Sequence, residues 1–158
     1  LLPQAEFVMI GPYDVSGDGP PSDLRERDNI ELTGSKNTEE ILAFALDVDI
    51  WLMAYDRSRD IDGGTNPHKI LEYLATGKVV VSNWAEAYEG NDLIVMPPTP
   101  DNAPLPALLA DVVGRLDQLS APAERARRAA YASKFSYQAH LAEIDKTLQA
   151  ALSARRSN

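Results

Sequence analysis

Lys69 and Glu72 stand three residues apart in a run that reads as a helix opening near Asn66. The run brings a cation, a carboxylate and a helix start close together. A helix N-terminus presents unpaired backbone N–H groups that attract anions. Lys69 places a cation near that start. The chemistry on offer is the holding of an anion at the helix start. The same residues also suit a plain solvated face, where an i,i+3 Lys–Glu pair contributes a few tenths of a kcal/mol.

The stretch from Thr65 to Val81 contains the elements that must position these groups. Asn66 suits the N-cap, because its side-chain oxygen can accept from a free backbone N–H. Pro67 suits the first helical position, where no N–H partner is needed. Pro67, Ile70, Leu71 and Leu74 fall on one side at helical spacing, and Lys69, Glu72 and Thr76 fall on the other. Gly77 ends the helix in a left-handed turn. Val79 to Val81 read as a strand buried on both faces.

Elsewhere the chain alternates short apolar runs with helical patterns. Ala5–Ile10, Asn29–Gly34, Asp49–Tyr55, Lys78–Asn83 and Asp92–Met96 read as strands, the last stopped by Pro97-Pro98. A helix over Glu39–Leu46 has Thr38 as its expected cap. Three helical stretches follow: Leu105–Leu119, Pro122–Lys134, and one beginning at Phe135–Tyr137 with Leu141, Ile144, Leu148 and Leu152 along a stripe. The Gly17-Asp18-Gly19 segment meets two prolines, so it reads as loop rather than a dinucleotide fingerprint. Alternating strands and helices predict one domain with a parallel α/β sheet. Ligands of such sheets bind beyond the carboxyl ends of the strands. Those ends are Gly11-Pro12, Gly34-Ser35, Tyr55-Asp56 and Asn83-Trp84, and the Asn66–Lys69 turn points at the same crevice.

The 158 residues suffice for a domain with a real core, and 44% hydrophobic with 25% charged residues are globular values. A net charge of −9 argues against general nucleic-acid binding. Zero cysteines exclude disulfides and thiolate metal sites. His68 and His140 lie too far apart in sequence to suggest a zinc cluster. The sequence has neither a membrane-spanning run nor a secretory-signal pattern. It opens Leu-Leu-Pro-Gln and runs almost at once into a strand, which reads as a piece of a longer protein.

The run Asn-Pro-x-Lys-x-x-Glu-Tyr-Leu-Ala-x-Gly-Lys-x-Val-Val resembles the donor-binding segment of glycosyltransferases with two Rossmann-like domains, the GT-B fold, of the large group-one set. The likeness extends in order through Phe-Val-Met-Ile-Gly-Pro, Asn-Ile-Glu-Leu-Thr-Gly and Glu-Glu-Ile-Leu-Ala-Phe-Ala-Leu-Asp-Val-Asp-Ile-Trp-Leu-Met, and so covers most of residues 5–152. It implies a Rossmann-like parallel sheet flanked by helices, the C-terminal half of a two-domain enzyme. Its donor would be a UDP- or GDP-sugar, with no cofactor and no metal. The acceptor, a glycan or lipid, would be bound by an N-terminal domain outside this chain.

Residue by residue, the resemblance assigns Glu72 to the ribose hydroxyls and Lys69 to the diphosphate. Thr65 and Asn66 match the turn whose amides approach the diphosphate or sugar. Gly34 and Ser35 match the loop against the base. Gly11, Pro12 and Tyr13 match the glycine loop near the phosphates. A cytoplasmic protein with peripheral membrane contact is the expected setting, and the chain by itself is expected to bind nucleotide weakly without turnover. Many retaining members carry a glutamate eight positions before the ribose-binding one, and here Gly64 stands there. That leaves retention or inversion open.

Each assignment has a plainer alternative: strand-end turns for Gly11 and Gly34, a loop aromatic for Tyr13, packing for Trp51 and Trp84. His68 reads as a surface residue, and Arg125, Arg127 and Arg128 as a solvated helix face. Function has alternatives too: a nucleotide-sugar epimerase of the same fold, or a non-catalytic nucleotide-binding or interaction module. A phosphoacceptor receiver domain is disfavoured, because Ile10-Gly11-Pro12 lacks the clustered acids it would need.

Overall fold

Residues rich in branched apolar side chains form short parallel strands, and the helices between them carry the chain back, giving mixed α/β structure throughout. The computed structural model of the chain describes residues 2–11, 22–55 and 67–156. The sequence reads as one domain; backbone contacts gather it into two compact units, Leu1–Val48 and Asp49–Asn158.

In the first unit, β1 (Phe7–Ile10) pairs in parallel with β2 (Ile30–Gly34), after the short α1 (Ser22–Arg25). Asn29 donates from Nδ2 to the Ala5 carbonyl at 2.9 Å and fixes the approach to β1. The ladder ends with the Gly11 N–H donating to the Gly34 carbonyl at 3.0 Å. Gly34 has φ +74°, a left-handed conformation that costs glycine nothing.

The helix α2 (Thr38–Asp47) is capped by Asn37, one residue before the expected Thr38. Asn37 Oδ1 accepts from the Glu40 N–H at 2.9 Å, and Glu40 Oε2 accepts from the Asn37 N–H at 2.9 Å. That reciprocal box needs an acid three residues after the cap, which Asn37 has in Glu40 and Thr38 lacks, having Ile41. The Asn37 backbone bond holds the Glu40 carboxyl below its ordinary pKa, with Lys36 assisting.

In the second unit, β3 (Ile50–Met53) pairs in parallel with β4 (Val79–Ser82), with Trp51 opposite Val80. The helix α3 (Pro67–Ala75) lies between them in the chain. Strand alternation separates two faces. Val79 and Val81 pack with Leu105 and Val112 of α4 (Leu105–Gly114), and Ile50 joins them. On the opposite face Trp51 stacks on Tyr73 of α3, ring centroids 4.4 Å apart and 3° from parallel, and its indole N–H donates to Thr76 Oγ1 at 3.1 Å. Thus β4 is buried on both faces, as its unbroken valine run predicts, and Trp51 is a packing residue.

The expected fifth strand contracts to a single parallel bridge, Val81 to Val95. Asn91 Oδ1 turns the chain by accepting from the Leu93 N–H at 2.9 Å, and the prolines after Met96 donate nothing to a ladder. The expected Leu105–Leu119 helix breaks at Gly114 and Arg115 into α4 and the short α5 (Leu116–Leu119). Arg115 leaves helical geometry with φ −116° and its guanidinium pairs with Asp111. The loop Trp84–Asn91 includes a 3₁₀ turn at Glu86–Tyr88. The chain closes with α6 (Pro122–Ser133) and α7 (Tyr137–Arg156), and Leu141, Ile144, Leu148 and Leu152 of α7 are exposed.

The helix α3 ends at Gly77 with φ +74°, the left-handed stop the sequence predicts. A Cβ there would lie 3.1 Å from the Arg125 carbonyl oxygen and 3.3 Å from the Arg125 Cβ. Gly77→Ala therefore meets both backbone strain and a packed α6, and is expected to lower stability by about 2 kcal/mol in urea denaturation. Gly34→Ala meets open space and carries only the backbone strain, about 1 kcal/mol. Equal losses at the two glycines would show that the approach of α6 to Gly77 contributes nothing.

Candidate functional site

The helix α3 has two unlike faces. Ile70 and Leu74 are 0% exposed, while Lys69 and Glu72 are exposed to solvent. The buried pair fixes the helix against its neighbours, so the outward groups are presented from a rigid element. Lys69 and Glu72 make no ion pair with each other among the described residues. His68 is exposed as expected, and Thr76 is half-buried under the Trp51 indole. Burial pushes the Tyr73 phenol above its ordinary pKa, and the neighbouring Tyr55 and Glu72 push it the same way.

The carboxyl end of the β3–β4 pair is held by side chains. Asn83 is 0% exposed, and both ends of its amide engage the backbone of Tyr55. Its Oδ1 accepts from the Tyr55 N–H at 2.6 Å, and its Nδ2 donates to the Tyr55 carbonyl at 2.9 Å. The Asn83 N–H donates to the Met53 carbonyl at 3.0 Å, so the side chain carries the strand ladder one residue further. Asn102, on the turn that opens α4, donates from Nδ2 to the same Tyr55 carbonyl at 3.1 Å. Ser82 Oγ and Asn102 Oδ1 are buried with no hydrogen-bond partner among the described residues.

The opposite end of α3 is held by Arg128, only 3% exposed. Its Nε donates to the Gly77 carbonyl at 2.9 Å, and its terminal nitrogen donates to the Leu119 carbonyl at 2.5 Å. These carbonyls close the C-terminal ends of α3 and α5, where helix dipoles favour a cation. Burial lowers the guanidinium pKa. The expected solvated arginine face is thus corrected at Arg128. Its neighbours do lie outside: Arg127 bridges Asp92 at 2.6 Å and Glu124 at 2.8 Å, and Arg125 donates to the Ser120 carbonyl at 2.9 Å.

The residues expected to bind ligand divide between the two units. Gly11, Gly34 and Ser35 lie at the carboxyl end of β1 and β2 in the first, Ser35 exposed. Lys69 and Glu72 lie on α3 in the second. Pro12, Tyr13, Thr65 and Asn66 lie outside the described residues, as does Gly64. Sequence reasoning missed Asn83, Asn102 and Arg128 as organising residues. Asn83 had a signal, a polar residue directly after four buried strand positions. Arg128 had one in its spacing of four from Ala132, which is also buried.

A comparison of the chain with protein-family models gives no match, and neither does a comparison with curated proteins. No helix among the described residues is long and apolar enough to cross a membrane.

Proposed function

We propose that the chain is the Rossmann-like donor-binding domain of a GT-B glycosyltransferase, whose whole enzyme transfers a sugar from a UDP- or GDP-sugar to a glycan or lipid acceptor. The single observation that carries this reading is the division of α3. Its inner face buries Ile70 and Leu74 completely, and its outer face offers Lys69 and Glu72 to solvent from the helix that joins two parallel strands. In this reading Glu72 accepts from the ribose hydroxyls. Lys69 and the first-turn amides of α3 hold the diphosphate. The rate enhancement rests on orienting the donor and stabilising the departing diphosphate electrostatically. The setting is cytoplasmic, with peripheral contact at a membrane that holds the acceptor.

Calorimetric titration with UDP, GDP, ADP and CMP tests the reading. One diphosphate is expected to bind in preference to the others. Glu72→Ala is expected to weaken it by roughly tenfold to a hundredfold, the worth of hydrogen bonds to a charged group. Loss of all binding by the folded wild-type chain, or affinity indifferent to Glu72, overturns it.

A further inference from the structure

The clamp on Tyr55 engages the backbone of a residue whose own side chain is 40% exposed. Three hydrogen bonds from two asparagines fix that backbone, and one of those asparagines is wholly buried. A strand end facing water does not need this, because solvent satisfies its N–H and C=O groups. What the clamp adds is position. Trp51 and Met53 alternate toward the α3 side of the strand, where Trp51 meets Tyr73, and Tyr55, two residues past the end of β3, is close enough to act on the Tyr73 phenol. Tyr55 is the outermost of that row, at the edge where open parallel sheets bind ligands.

Resting on the donor-site reading above, we infer that Tyr55 is a ligand-contacting residue that offers its ring to a planar or ring-shaped part of the nucleotide sugar, and that Asn83 is its positioning residue. An aromatic side chain suits this because it supplies a broad apolar face with a polar tip and few torsions to order. Pinning its backbone at both hydrogen-bonding groups removes further freedom before binding. The ring met by Tyr55 is either the base or the sugar, and both present flat faces.

The test measures binding of UDP, GDP, UDP-glucose and GDP-mannose to the whole chain, to Glu72→Ala and to three further variants. Tyr55→Ala removes the ring and leaves the clamp, which is made to backbone. Asn83→Asp keeps the size and the acceptor, but a carboxylate cannot donate to the Tyr55 carbonyl. Val112→Ala, on the buried face of α4, serves as a destabilised control away from the clamp. Tyr55→Ala and Asn83→Asp are expected to weaken binding about tenfold, with the control unchanged. The carbonyl carbon shift of Tyr55, which reports the hydrogen bond from Asn83 Nδ2, is expected to move in Asn83→Asp alone. A loss seen already with the bare diphosphates assigns the base, and a loss confined to the sugar nucleotides assigns the sugar. Wild-type affinity in Tyr55→Ala, beside lost affinity in Glu72→Ala, overturns the role of Tyr55 and leaves the donor site standing. Lost affinity in Val112→Ala equal to that in Asn83→Asp overturns the positioning role. A wild-type chain that binds none of the four overturns the donor-site reading and this inference with it.

Discussion

Arg128→Leu is expected to lower the stability of the chain by about 3 kcal/mol, the largest loss from any single charged residue described above. The guanidinium is nearly sealed from water and has no carboxylate among its hydrogen-bond partners; those are the carbonyls of Gly77 and Leu119. Leucine fills much of the volume but leaves both carbonyls buried and without their donor, which costs more than the bonds were worth net. Two helix ends then lose the cation that offsets their partial negative charge. Arg128→Lys is expected to recover only part of the loss, because an ammonium lacks the planar fork that reaches two carbonyls at once. Urea denaturation of the whole chain reads both variants, and amide exchange at Thr76 and Gly77 reports whether α3 frays at that end. An Arg128→Leu midpoint equal to wild type would mean that water, rather than arginine, satisfies these carbonyls.

Arg128 also marks where sequence reasoning loses its grip. In sequence it is one of three arginines within four residues, and such clusters usually lie in solvent. Two of them do, and the third turns inward because the ends of two helices meet there, a fact of tertiary packing that no local pattern records. By contrast, α3 was legible almost to the residue. Pro67 opens it, Gly77 stops it, and Ile70 and Leu74 fill its buried stripe, since each of these is a local requirement of one helix. The parallel pairing of β3 with β4 was legible for a related reason. A helix between two apolar runs leaves few ways to pair them. The fifth strand was misjudged because an apolar run does not say how many hydrogen bonds the next strand will accept. Asn83 was visible as a strand end, but its grip on Tyr55 depends on two segments 28 residues apart. The outward residues Lys69 and Glu72 were legible as a face, whereas their chemistry rests on what binds there.

On the donor-site proposal the two faces of α3 separate stability from recognition, and Leu74→Ala is expected to expose the division. Leu74 is 0% exposed, one turn after Ile70 on the buried stripe. Truncation to alanine removes buried methyl groups and leaves a cavity, which costs about 2–5 kcal/mol. The upper part of that range applies if the surroundings stay rigid. The Trp51–Tyr73 stack and the Arg128 clamp favour this, since they hold α3 on either side of Leu74 and resist collapse into the gap. Glu72→Ala, two residues away on the exposed face, is expected to change stability by no more than about 0.5 kcal/mol. Thermal and urea unfolding of the two variants, set beside their nucleotide titrations, give a two-by-two outcome. Leu74→Ala should lose stability and, below its unfolding transition, keep most of its affinity. Glu72→Ala should keep stability and lose affinity. If Glu72→Ala also destabilises strongly, the glutamate is serving the fold, and the outward face of α3 is structural rather than a ligand surface.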